Sequence, residues 1–174
     1  MSLYGPNIFV PPGPLLRPSA SYSTVSAGKL DLGKVVNQQV SGTLTLAQLQ
    51  NLYTTPIQVL PALNTGFMYE VDKVIVEAVY GSAAFTGGGN IYLQYGTTAA
   101  SSNAASGNIA AAFLTGLSAN SVISTTGAIN GTSGLASSVS NGAPLTFTNG
   151  TAVFAAGTGG SALYTVFYKV IPVV

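Results

Sequence analysis

The sequence predicts an all-β protein: an antiparallel β-sandwich or jelly roll with one short helix and an extended N-terminal arm. Short runs in which apolar and polar residues alternate are separated by stretches rich in Gly, Ser, Thr and Asn. Only one short segment places apolar residues at helical spacing. A parallel α/β fold would need a helical pattern between successive strands, so its absence favours an antiparallel arrangement.

The N-terminal segment, residues 1–34, differs from the rest because five of its prolines stand between positions 6 and 18. Proline removes backbone donors and favours extended conformations. Large apolar side chains lie among these prolines, so we expect an arm that docks on a partner. Its predicted anchors are Phe9, Leu15 and Leu16, and Arg17 can add one charge-assisted hydrogen bond. A disordered terminus remains the alternative.

The second region, residues 35–174, is predicted to be the β domain. It opens with a segment rich in Val, Thr and Gln, and a short helix follows within residues 45–53. Thr45 and Gln48 have the spacing of a capping box, in which each side chain bonds the backbone N–H of the other residue. The helix ends before Pro56, because the residue preceding a proline avoids the α region.

The strongest strand pattern covers residues 67–80, where one face carries Val74, Val76, Ala78 and Tyr80 and the other face carries Lys73 and Glu77. Asn149-Gly150 predicts a hairpin, since both residues tolerate positive φ. Other strands are expected at residues 57–60, 91–95, 109–114, 121–124 and 163–171. The predicted core contains Val74, Val76, Tyr80, Leu93, Phe147, Tyr164, Val166 and Tyr168.

The composition excludes several classes of function. Charged residues make up only 5% of the chain, against about 25% in a typical soluble domain. A net charge of +1 without a basic cluster argues against nucleic-acid binding, which needs several Lys or Arg to neutralise phosphates. A free monomer with so few charges would also lack the repulsion that keeps proteins apart. We therefore expect much of the surface to contact partners.

The chain is not expected to be an enzyme or to carry a cofactor. It has no histidine and no cysteine, which removes the commonest acid–base group, thiol chemistry and the usual zinc ligands. Catalytic residues are therefore predicted to be absent. No run of about 18 apolar residues predicts a membrane span, and the first residues lack the pattern of a signal peptide.

Two motifs allow a weak functional interpretation and a stronger structural one. Glu70 and Asp72 lie on one side of the predicted strand and could form a small cation site, but a polar strand face near Lys73 is the favoured interpretation. The glycines at 87–89 precede a strand rather than a helix, so they indicate a turn and not a phosphate-binding loop.

Several stretches of the β domain carry a resemblance to a known family. They are LTLAQL at 44–49, TPIQVLP at 55–61, VIV at 74–76, YGSAAFTGG at 80–88, IYLQYG at 91–96 and VFYKVIP at 166–172. In this order they resemble the head decoration, or cement, proteins of tailed bacteriophages, which have a jelly-roll-like fold. The proline-rich arm is not part of the resemblance.

The resemblance implies a structural virion protein that is made in the host cytoplasm and located on the capsid surface. Such a protein would bind the outside of a phage capsid and stabilise contacts between capsomers of the major capsid protein. Its partners would be the major capsid protein and itself, as a homodimer or homotrimer at a two-fold or three-fold position. A phage tail, baseplate or receptor-binding component is the alternative, and a bacterial surface module is a more distant one.

Overall fold

A computed structural model of the chain describes residues 36–128 and 137–173, all of which belong to the unit Val35–Val174. The predicted arm, residues 1–34, lies outside the described residues. The described strands are β1 (Gln38–Leu44), β2 (Ile57–Leu60), β3 (Phe67–Val79), β4 (Phe85–Gly87), β5 (Ile91–Tyr95), β6 (Ser121–Thr126), β7 (Leu145–Asn149), β8 (Phe154–Ala156) and β9 (Ser161–Pro172). The helices are α1 (Leu46–Asn51), α2 (Ala112–Thr115) and α3 (Ser137–Ser140).

The strands form three antiparallel sheets, which confirms the predicted all-β sandwich. The four-stranded sheet has the order β1-β9-β3-β6, the three-stranded sheet has the order β2-β7-β5, and β4 pairs with β8. The first two sheets contact each other through aromatic side chains: the rings of Phe147 and Tyr164 are 5.1 Å apart, and the Tyr95 hydroxyl donates to the Tyr69 carbonyl. The hydrophobic core therefore lies between them.

Helix α1 begins as the sequence predicts. The Thr45 hydroxyl accepts a hydrogen bond from the Gln48 N–H at 3.3 Å, and the Thr45 N–H donates to Gln48 Oε1 at 2.8 Å. Both bonds together form the capping box, which satisfies two donors that a helix N-terminus leaves free. The helix contributes the fully buried Leu49 to the core. None of the helices in the described ranges is long enough to span a membrane.

The described residues contain two helices, α2 and α3, in addition to the single one that the sequence predicts. The predicted strand at 109–114 is wrong: Ile109 forms one isolated bridge with Ile91, and the chain then turns into α2. The reason is local, because three consecutive alanines at 110–112 favour a helical turn. Their first turn is closed by the bond from the Phe113 N–H to the Ala110 carbonyl at 2.9 Å.

Strand β3 keeps one face in the core along its 13 residues because it carries a bulge at Asp72. Tyr69 and Val71 are buried before the bulge, and Val74 and Val76 are buried after it. Since side chains alternate between the two faces of a strand, one inserted residue moves the buried set from odd to even positions.

Six of the eight residues predicted for the core are buried: Val74, Val76, Leu93, Phe147, Val166 and Tyr168. The other two, Tyr80 and Tyr164, pack against the core but are only partly buried. Tyr80 follows the end of β3, where its N–H donates to the Asn120 side chain at 2.9 Å. It therefore lies at the rim of the sandwich, beyond the regular alternation of the strand.

The predicted Asn149-Gly150 hairpin is wrong, because β7 pairs with β2 and β5 whereas β8 pairs with β4. The Asn149 side chain is fully buried. Its Nδ2 donates to the Ala152 carbonyl at 2.7 Å, and its Oδ1 accepts from the Thr151 N–H at 3.1 Å. These side-chain bonds replace the backbone bonds of a tight hairpin and direct the chain to another sheet.

Candidate functional site

The two carboxylates considered as a cation site instead surround a lysine. Nζ of Lys169, on β9, lies 2.8 Å from Asp72 Oδ1 and 4.0 Å from Glu70 Oε2. The hydrogen bond to Asp72 raises the pKa of Lys169, so this side chain stays charged at neutral pH. The described part of the chain contains no group of three or more potential metal ligands. The basic partner of these acids is thus Lys169, rather than the neighbouring Lys73 that the sequence suggests.

The glycines at 87–89 have a structural reason. Gly87 and Gly88 have positive φ values of 67° and 77°, a region that other residues rarely adopt. A Cβ atom on Gly88 would lie 2.1 Å from the Phe154 ring. The absence of a side chain therefore lets the chain pass close to this ring between β4 and β5.

The strand tyrosines belong to the core and not to an open stacking surface. Tyr92 donates to the Ser101 carbonyl at 2.7 Å, and the rings of Tyr69 and Tyr168 meet edge to face at 5.5 Å. Burial raises the pKa of Tyr95 well above its usual range and that of Tyr69 to about 12. These tyrosines are therefore neutral packing residues whose hydroxyls fix neighbouring backbone segments.

A buried polar network lies beside β5 and β7. Gln94 donates to the Thr98 carbonyl at 2.6 Å and accepts from the Ser101 hydroxyl at 2.8 Å. Thr148 accepts from the Ala100 N–H at 3.1 Å. Every buried side-chain nitrogen or oxygen among the described residues has a hydrogen-bond partner. The network therefore holds the loop after β5 in place, and its polar atoms are satisfied within the fold.

The surface with the clearest capacity to bind a partner is the side of the four-stranded sheet that faces away from the core. We call it the outer face. The strand registers arrange its side chains in three rows across the sheet. The rows are Thr43–Leu163–Glu77–Val122, Ser41–Thr165–Ile75–Ser124 and Gln39–Phe167–Lys73–Thr126.

The outer face is open and carries large apolar side chains. Val122 is 64% exposed and Leu163 is 43% exposed, and both belong to the same row. A shallow depression of ≈ 420 Å³ crosses the face between β1, β9 and β3, with Ile75 and Thr165 among its lining residues. An apolar and hydroxyl-rich sheet face without cover from any described residue is typical of a protein-binding surface.

All five charged residues that the structure describes lie on this side of the sheet: Lys73 and Glu77 stand within the three rows, and Lys169, Glu70 and Asp72 form a cluster beyond the row of Phe167 and Lys73. Lys169 forms ion pairs with Glu70 and Asp72. In contrast, Lys73 and Glu77 are exposed and form no ion pair with another described residue. They stand two residues before and two residues after Ile75 on the same strand. The three rows of the outer face thus hold one unpaired positive and one unpaired negative position, placed on either side of Ile75.

Sequence reasoning located the charges of β3 but missed the outer face as a unit. The positions of Lys73 and Glu77 opposite the buried valines were a signal, yet the neighbours on β1, β6 and β9 depend on strand order. The predicted anchors Phe9, Leu15, Leu16 and Arg17 lie outside the described residues, so their role stays a prediction.

No protein-family model and no curated protein matches the sequence. Among solved structures, the chain is similar to the capsid asymmetric unit of cyanophage Pam1, with 19% identity, a TM-score of 0.41, and coverage of 91% of this chain and 99% of that chain. It is also similar to the semi-empty VLP of giant freshwater prawn Macrobrachium rosenbergii nodavirus (MrNV), with 11% identity, a TM-score of 0.29, and coverage of 97% and 98%. Both TM-scores lie below 0.5, so the function must follow from the residues of this chain.

Proposed function

We propose that this chain is a structural virion protein that binds the outside of a phage capsid and stabilises contacts between capsomers of the major capsid protein. The observation that carries the proposal is the outer face, an open sheet surface with exposed Val122 and Leu163, which indicates a protein that assembles with partners. The sequence resemblance to phage head decoration proteins supports the same role. So does the scarcity of charge, which suits a protein that spends its time in contact with others.

The mechanism is binding rather than chemistry. An apolar contact over a few hundred Å² is weak for a single copy, but a symmetric shell presents the same site many times. Each bound copy that spans two capsomers adds its free energy to the cohesion of the shell. We also propose that the chain has no catalytic activity, because it lacks His and Cys and because two of its three described acids, Glu70 and Asp72, form ion pairs with Lys169.

In this proposal the arm, residues 1–34, adds a second contact to a neighbouring subunit or to the shell. Phe9, Leu15 and Leu16 supply the apolar area, and the prolines reduce the conformational entropy that is lost on docking. Two linked contacts bind more tightly than either one alone.

The first experiment measures the copy number of this chain relative to the major capsid protein in purified particles, by quantitative mass spectrometry. Copies in the hundreds support a shell protein. A few to a few dozen copies support the alternative, a tail, baseplate or receptor-binding component. Absence from the particles would overturn the virion role.

The second experiment adds purified protein back to particles that lack it and measures the temperature at which the shells break. A higher temperature with the full chain supports the stabilising role. Deletion of residues 2–30 should leave the β domain folded and weaken binding to the particles, and Leu15→Ser should act in the same direction. Ser19→Ala, in the same segment, is the matched control. Unchanged occupancy after the deletion would rule out docking by the arm.

A further inference from the structure

The pattern of the outer face is complementary to itself under a two-fold rotation. For two sheets packed face to face, the two-fold axis lies between them. Consider an axis that passes over Ile75 and runs perpendicular to β3. A two-fold rotation about this axis reverses the direction of the strand, so Glu77 of one copy lies opposite Lys73 of the other. The rotation creates two such pairs, one on each side of the axis, from the two outer-face charges that no described residue neutralises.

The same rotation also matches the apolar residues. The row that contains Glu77 also contains Leu163, and the row that contains Lys73 also contains Phe167. Exchanging the two rows therefore places Leu163 opposite the Phe167 position of a second copy. In the central row, Ile75 and Thr165 meet their own counterparts near the axis.

We propose that the outer face is an interface between two copies of this chain, related by a two-fold axis near Ile75, in which Lys73 of each copy pairs with Glu77 of the other. An isologous contact requires a self-complementary patch. Lys73 with Glu77 and Leu163 with Phe167 satisfy this requirement, whereas Val122 falls opposite Thr126. The ion-paired cluster of Lys169 lies beyond the three rows. The proposal rests on the proposed function in taking the chain as a protein that assembles with partners, and it assigns a surface to the self-association that the sequence resemblance implies.

The size of the face sets the expected strength. Two-residue steps of about 6.8 Å along the strands and spacings of about 4.8 Å between them give three rows of four positions a footprint of about 400 Å². A stable interface typically buries about 800 Å² on each partner. We therefore expect a weak dimer in dilute solution, which becomes significant when many copies are held close together on a shell.

The test uses the full-length chain and charge reversal. Sedimentation equilibrium at low ionic strength should show a monomer–dimer equilibrium for the natural sequence. Lys73→Glu makes both positions negative and Glu77→Lys makes both positive, so each variant alone should dimerise about tenfold more weakly or worse. Asn64→Glu, on an exposed loop between β2 and β3, is the matched control and should leave the equilibrium unchanged.

The decisive sample is an equimolar mixture of the two single variants. In a heterodimer of K73E with E77K, both contacts between position 73 of one copy and position 77 of the other again join opposite charges. The mixture should therefore recover the dimerisation that each variant alone has lost. The double variant K73E/E77K should dimerise like the natural chain. Because Lys73 and Glu77 are exposed, all variants should fold, and their thermal unfolding checks this directly.

Three results would overturn the proposal: a monomer at every concentration, single variants that associate normally, or a mixture that stays monomeric. Charge reversal that lowers particle occupancy without changing self-association would also overturn it, and would assign the face to the capsid instead. The two proposals can fail separately. A chain that dimerises through this face but is absent from particles would leave the interface standing and remove the virion role.

Discussion

Replacing Val76 by aspartate tests whether the face of β3 that packs in the core is correctly assigned. Val76 is 5% exposed and lies between Val74 and Ala78, which are fully buried. Removing the valine costs about 1.5–3 kcal/mol of hydrophobic burial. An aspartate at this place must be protonated to stay buried, which at pH 7 costs about 4 kcal/mol for a normal pKa near 3.9.

The sum is about 6 kcal/mol, which is comparable with the whole stability of a typical domain, about 5–15 kcal/mol. We therefore expect Val76→Asp to be unfolded or nearly so at pH 7. The sign of its pH dependence is fixed, because burial makes the pKa of the introduced carboxyl higher in the folded state than in the unfolded state. The destabilisation has its full value when the pH is well above the folded-state pKa of this carboxyl. It decreases as the pH falls towards the pKa of a free carboxyl, so the variant should regain stability at mildly acidic pH.

The assay is urea unfolding monitored by circular dichroism at neutral and at mildly acidic pH. Val76→Ala, which removes two methyl groups at about 0.8 kcal/mol each before any cavity cost, keeps the comparison measurable if the aspartate variant does not fold. Val153→Asp is the control, because Val153 is 46% exposed and should change the free energy of unfolding by less than about 0.5 kcal/mol. Cooperative unfolding of Val76→Asp at neutral pH with near-natural stability would refute the assignment.

Three further predictions address single contacts. Thr45→Ala should lower the free energy of unfolding by about 1 kcal/mol, because α1 loses its N-terminal cap. Thr45→Ser keeps the hydroxyl and should be close to neutral. Equal effects of the two variants in chemical denaturation would contradict the capping role. Gly127→Ala should strongly destabilise the end of β6, since a Cβ there would lie 1.5 Å from the Val71 carbonyl oxygen, and unchanged amide hydrogen exchange in β6 would disprove this contact. Burial raises the pKa of Tyr69 from 10.0 to about 12, so the contribution of this side chain to stability is complete below pH 10 and is lost as the pH rises towards 12. Tyr69→Phe should flatten that alkaline loss, and an identical slope in pH-dependent unfolding would argue against it.

Features set by neighbouring residues could be predicted from the sequence. The capping box joins Thr45 and Gln48, which are three positions apart, and the alternation from Val74 onwards needs only a strand with one buried face. Both patterns act over a few residues, where the chain connectivity itself fixes which groups can meet. The low charge and the absence of His and Cys likewise restrict the possible chemistry, because they are properties of the composition and hold for any fold.

Other features depended on residues far apart in the chain. Asp72 pairs with Lys169, which is 97 positions later, and not with the adjacent Lys73. The Asn149-Gly150 pair has the composition of a hairpin, but the buried Asn149 side chain bonds its own loop and β7 joins two other strands. Local turn preference was overridden here, because burying β7 between β2 and β5 satisfies more backbone groups than a hairpin with β8 would.

The outer face shows the same division most clearly. The sequence alone determined that Lys73, Ile75 and Glu77 share the side of β3 opposite the core, because side chains alternate along a strand. Only the tertiary structure decided that Leu163 and Phe167 of β9 lie in the rows of Glu77 and Lys73, because strand order and register come from the packing of the whole sheet. A binding surface built from several strands is a property of that packing, and no local pattern in the chain encodes it.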